Sequence, residues 1–156
     1  MVAWLWHTRG SIELDDSMAD AELLDRLKFA LGCRLKPVVD RGPYWIEFAG
    51  PIGSTLGPTW DAITIYDRGR IWIERSGAGA RLRYDLRSLH IFIFSLLCAG
   101  PVMAFGYLIG DIAGSAKLIP VGFAWFYGGN IATGLVRLPR FFRRAIDDRR
   151  VTSPRE

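Results

Sequence analysis

Cysteine and histidine are nearly missing from this chain. Its 156 residues hold two of each: Cys33 and Cys98, His7 and His90. Two cysteines cannot build a disulfide scaffold. No CxxC, HExxH or EF-hand spacing occurs, so no metal site and no cofactor are expected. Gly50-Pro-Ile-Gly-Ser-Thr-Leu-Gly57 shares only glycine content with a phosphate loop. It lacks the Gly-Lys-Ser/Thr ending and opens no helix. No Ser/Cys–His nucleophile pair can be argued from spacing, and no catalytic residue is assigned. The chain is read as a non-enzyme.

Charge is also missing, but only locally. Residues 89–136 hold one acid, Asp111, and one base, Lys117. Residues 1–88 carry 12 Lys/Arg and 12 Asp/Glu, a net charge of zero. Residues 137–156 carry seven Arg and three acids, so the whole net charge of +4 lies there. A sheet that stacks nucleic-acid bases needs exposed aromatics in a positive field. The balanced first 88 residues exclude that field, and no nucleic-acid partner is expected.

The uncharged stretch contains two long apolar runs. Leu89–Gly110 has 22 residues and Leu118–Val136 has 19. As helices they would cover about 33 and 28 Å at 1.5 Å per residue, close to a hydrocarbon core of about 30 Å. The alternative is a pair of buried core helices. The spacing therefore predicts a transmembrane hairpin over residues 88–136, with spans at about 89–110 and 118–136. Arg81, Arg83 and Arg87 precede it, and Arg137, Arg140, Arg143 and Arg144 follow it. The positive-inside rule then places both chain ends in the cytoplasm of a multi-pass inner-membrane protein.

Small residues mark the packing of this expected hairpin. Gly106, Gly110 and Gly114 repeat every four positions, with Gly122 and Gly128 answering from the second run. Asn130 offers one interhelical hydrogen bond. These residues suit packing within the hairpin or self-association of several hairpins. Pro101 predicts a kink. Beyond the second run, Leu138, Phe141, Phe142 and Ile146 form an apolar stripe flanked by Arg137, Arg140, Arg143 and Arg144. Residues 137–156 read as a basic amphipathic cytoplasmic tail. Its arginines would contact the anionic headgroups of the lipid bilayer.

Residues 1–87 read as an α+β domain: an antiparallel sheet of four or five strands with one helix. Asp15, Asp16 and Ser17 offer a helix start, Ser17-x-x-Asp20 approximates a capping box, and Gly32 offers a stop. Strands are expected in part of Trp4–Leu14, and over Tyr44–Ala49, Ala62–Asp67, Ile71–Arg75 and Ala80–Leu86. Asp67–Arg70 is read as a hairpin turn with Gly69 at positive φ. One sheet face would carry Trp45, Glu47, Thr64, Tyr66, Trp72 and Glu74. Of these, Trp45, Glu47, Tyr66, Trp72 and Glu74 form the candidate partner surface, because aromatics dominate interface cores. The expected function is a membrane-tethered module that binds a protein or small ligand at the bilayer surface. It would serve as a regulator, assembly factor or accessory subunit, alongside other membrane proteins. The alternative is a glycine-face oligomer acting as a channel or membrane-perturbing protein.

Overall fold

The computed structural model describes residues 3–15, 18–51, 62–77, 79–110 and 112–147. A 3-10 turn at Ala3–Trp6 leads into β1 (His7–Leu14). Then come α1 (Asp20–Gly32), β2 (Val38–Arg41), β3 (Trp45–Ala49), β4 (Arg68–Ser76) and β5 (Gly79–Arg87). After β5 come α2 (Leu89–Leu108), α3 (Ile112–Phe123), a π turn (Ala124–Gly128) and α4 (Gly129–Asp147). All five strands form one antiparallel sheet in the order β1-β5-β4-β3-β2.

Alternation in the strands sets the two faces of the sheet. Ile12, Ile46, Phe48, Ile71, Ile73, Leu82, Tyr84 and Leu86 are buried on one face. They pack with Leu23, Leu24, Leu27 and Leu31 of α1 and with Leu138, Phe141, Phe142 and Ala145 of α4. Arg26 joins the two helices, donating to Glu22 on its own helix and to the Ile146 carbonyl on α4.

Several local expectations change. The helix starts at Asp20 after Ala19, which makes no side-chain cap bond. Asp16 and Ser17 lie outside the described residues, as does most of the Gly50–Gly57 loop. Residues 62–65 form a turn rather than a strand, and 62–67 are all buried. The apparent alternation fails there because core packs around the whole segment. Lys36 holds it by donating to the Thr64 and Tyr66 carbonyls at 3.2 and 2.6 Å. Gly69 is no turn residue: β4 runs straight through it. A Cβ there would come within 2.4 Å of Leu86 Cδ2 and 2.7 Å of Phe48 Cε1. Gly69 is required by a close approach of side chains from the neighbouring strands. β4 and β5 join where the alternation between them also predicts a turn: Ser76 pairs with Gly79, and Gly79 has φ +122°.

The transmembrane hairpin is overturned. Among the described residues, no helix is long and apolar enough to cross a membrane. The second apolar run falls across α3, the π turn and α4. In α4 the apolar side chains form a stripe beside Arg137, Arg140, Arg143 and Arg144, and that stripe is buried on the protein's own core. Gly134 lets α4 come close, since a Cβ there would lie 2.6 Å from Ile65 Cδ1. The first run folds as α2, and its opening turns are rooted in the domain. Phe92 packs edge-on against Tyr127 at 5.2 Å and lies 5.2 Å from Trp6. Buried Asp67 accepts from the Leu89 N–H at 2.7 Å and pairs with Arg87, supplying the helix start from outside. The multi-pass inner-membrane location, the membrane-tethered function and the channel alternative all rested on that hairpin, and they go with it.

Candidate functional site

Helices cover one face of the sheet, and the other face is lined by long polar and aromatic side chains. Cross-strand registry arranges them in rows. One row runs Arg68, Arg87, His7 across β4, β5 and β1. The next runs Glu47, Arg70, Asp85, Arg9 across β3, β4, β5 and β1. The third runs Trp45, Trp72, Arg83, Ser11, and the fourth Glu74, Arg81, Glu13. Directly opposed side chains in an antiparallel sheet are close enough to interact, so these rows act as units.

Two shallow grooves cross the face. One, about 460 Å³, is lined by His7, Glu47, Arg68, Arg70, Trp72, Asp85 and Arg87, with Gly69. The adjoining one, about 350 Å³, is lined by Tyr44, Trp45, Arg70, Trp72 and Ile73. Trp72 and Arg70 border both. Trp45 and Trp72 are directly opposed on β3 and β4 and half-buried. The Arg70 guanidinium stacks 4.3 Å from the Trp45 ring centroid. That contact fixes the guanidinium plane while leaving its edge N–H groups for an anion.

The carboxylates of the first groove already have partners. Glu47 accepts from Arg68 Nε at 2.6 Å. Asp85 is held by His7 Nδ1 and by Arg9 Nε, each at 2.7 Å. Burial pushes the Asp85 pKa upward, but the hydrogen bonds from His7 and Arg9 outweigh it, and the net direction is down. Arg70 differs: it makes no ion pair among the described residues. The His7–Asp85 pair is an arrangement that can orient an imidazole for proton transfer. Among the described residues, no Ser, Thr or Cys side chain lines the groove beside it.

Of the candidate partner surface, the structure brings Trp45, Glu47, Trp72 and Glu74 onto this face. Tyr66 is not there. It is fully buried in the core, where its hydroxyl faces Thr8 Oγ1 at 3.3 Å and burial pushes its pKa up to about 12. Thr64 is likewise buried. Arg68, Arg70, Arg87, His7 and Asp85 were not singled out as site residues. Their strands alternate visibly, but only the registry sets them beside the tryptophans.

The remaining assigned residues lie elsewhere. Gly106 is buried in α2, which packs against α3. Gly110 ends that helix at φ +73° rather than lying on its face. Gly114 sits half-exposed on α3. Gly122 and Gly128 have open space where a Cβ would stand, so no close helix contact requires them. Asn130 donates to the Phe126 carbonyl at 2.6 Å, one turn back on its own helical segment. Arg137, Arg140, Arg143 and Arg144 are exposed on α4. Large apolar side chains also remain exposed on the α2–α3 pair and the π turn, including Leu97, Phe105, Leu108, Val121 and Trp125.

No protein-family model, curated protein or solved structure matches this chain.

Proposed function

We propose that this protein is a non-catalytic binding module whose open sheet face recognises an acidic segment of a partner protein. The observation that carries this reading is Arg70, stacked on Trp45, bordering both grooves and free of an ion pair among the described residues. A partner carboxylate would take the guanidinium edge in a bidentate pair. Apolar partner side chains would rest on Trp72 and Trp45. Trp and Arg are the residue types that carry most binding energy at protein interfaces. Glu47, Glu74 and Asp85 interrupt the positive charge of the face. That pattern favours a short acidic segment over a nucleic-acid backbone, which needs a continuous positive track.

The reading is tested with a displayed library of random short peptides. The wild-type chain should enrich sequences that combine Asp or Glu with an aromatic or large aliphatic residue. Arg70→Ala and Trp72→Ala should each weaken capture of the enriched peptides at least tenfold, with unchanged circular dichroism. Enrichment of neutral or basic peptides, or equal capture by both variants, would overturn it.

A further inference from the structure

The two edges of the sheet are built differently. β2 is a four-residue edge whose register against β3 shifts between Val38 and Asp40. Short and irregular strands of this kind block pairing with another chain. At the other edge, β1 has eight residues in unbroken register with β5, from His7↔Arg87 to Leu14↔Ala80. It contains no proline. No described strand pairs with its outer side.

The charges along β1 say what fits that edge. Across β3, β4, β5 and β1 the row Glu47, Arg70, Asp85, Arg9 alternates in sign at every step. It ends on a cation whose side chain is 75% exposed. The row Glu74, Arg81, Glu13 also alternates, and it ends on an anion whose side chain is 83% exposed. One row therefore calls for a negative neighbour beyond β1, and the other for a positive one four residues along.

We propose that two copies of this chain pair antiparallel along β1, about a two-fold axis at Ser11, giving a continuous ten-stranded sheet. In that register Ser11 faces its own copy, and Arg9 faces Glu13 of the second copy twice over. Both rows then continue in alternating sign through the axis. On the core side Gly10 meets Ile12 and Thr8 meets Leu14, with no charge set against charge. Centring the pair on Arg9 or on Glu13 would set that residue against itself, and centring it on Gly10 or Ile12 would set Arg9 or Glu13 against Ser11. Of these centres only Ser11 sets Arg9 against Glu13. Directly opposed unlike charges stabilise a strand pair and like charges destabilise it. This pairing uses the edge of the sheet and does not depend on what binds its open face.

Sedimentation velocity of the full chain across the micromolar range tests it. The wild type should show a monomer–dimer equilibrium. Arg9→Glu would set Glu against Glu13 at both contacts, and Glu13→Arg would set Arg against Arg9. Each should weaken self-association at least tenfold. An equimolar mixture of the two variants should recover dimers at wild-type strength, because each unlike pair re-forms between the two chains. The double variant R9E/E13R should also dimerise by itself, which keeps the test decisive if one single variant folds poorly. A wild-type chain that stays monomeric overturns the proposal. So do single variants that dimerise as the wild type does, or a mixture that stays monomeric while both variants keep wild-type circular dichroism.

Discussion

Lys36 lies fully buried, and its ammonium holds the carbonyls of Thr64 and Tyr66. Burial lowers its pKa from 10.5 to about 8, with Asp67 pulling the other way. The unfolded chain keeps its proton up to the ordinary value, so it binds more protons than the folded chain between about pH 8 and 10.5. Stability from this residue therefore rises with pH, by about 2 kcal/mol between pH 8 and 10. Above pH 10 buried Tyr66 opposes the gain, since its pKa is raised to about 12 and the unfolded chain ionises first. Urea unfolding at pH 8, 9 and 10 should show the rise in the wild type and a flat profile in Lys36→Met. An equal slope in both would remove Lys36 as its source. Nothing in the local sequence marks this lysine, because its partners come from residues 64 and 66. Gly69 was legible as a position that needs glycine, but a turn and a close approach leave the same mark in one sequence.

At the scale of elements, regular alternation and helical spacing were reliable where one face is buried and the other open. α1, β3 and β5 are such elements, and each was expected close to where it lies, while β4 was expected only from Ile71 onward. Residues 62–67 alternate in type but pack on every side, so the pattern carried no information about strand formation. The α4 stripe was also legible, but its counterpart was not. An amphipathic helix shows which face is apolar and leaves open whether lipid or protein covers it. Here the sheet covers it. Phe142→Ala should therefore destabilise the fold by about 3–5 kcal/mol. Arg143→Ala, on the exposed side of the same helix, should change stability by no more than about 0.5 kcal/mol. Thermal unfolding of both variants checks this. A Phe142→Ala chain as stable as the wild type would mean that α4 does not close the core.

For the whole molecule, the composition divides at residue 88 but the core does not. Residues 1–87 supply the sheet and α1, while α4 supplies Leu138, Phe141, Phe142 and Ala145 to the same core. The 3-10 turn is bound in as well: the Tyr127 hydroxyl donates to the Leu5 carbonyl at 2.6 Å and lies 3.1 Å from Ser88 Oγ. A chain ending at Arg87 should therefore lack a cooperative thermal transition, although every described strand is present. Restoring residues 88–147 should bring the transition back. A cooperative melt in the short chain would show that the sheet and α1 suffice.

The sequence by itself determined the local facts: which segments alternate, which stretch lacks charge, where the net charge lies, and which tryptophans share a strand face with acids. Each of these is written in residues a few positions apart, where periodicity and sterics act directly. Only the tertiary structure decided what those surfaces meet. It turned an apparent lipid-facing stripe into the second helix of a core, buried Tyr66, and set Arg70 beside Trp45. It also left β1 as the regular edge. The physical reason is that burial and cross-strand pairing are relations between distant segments, and one sequence records the surfaces but not the registry that joins them.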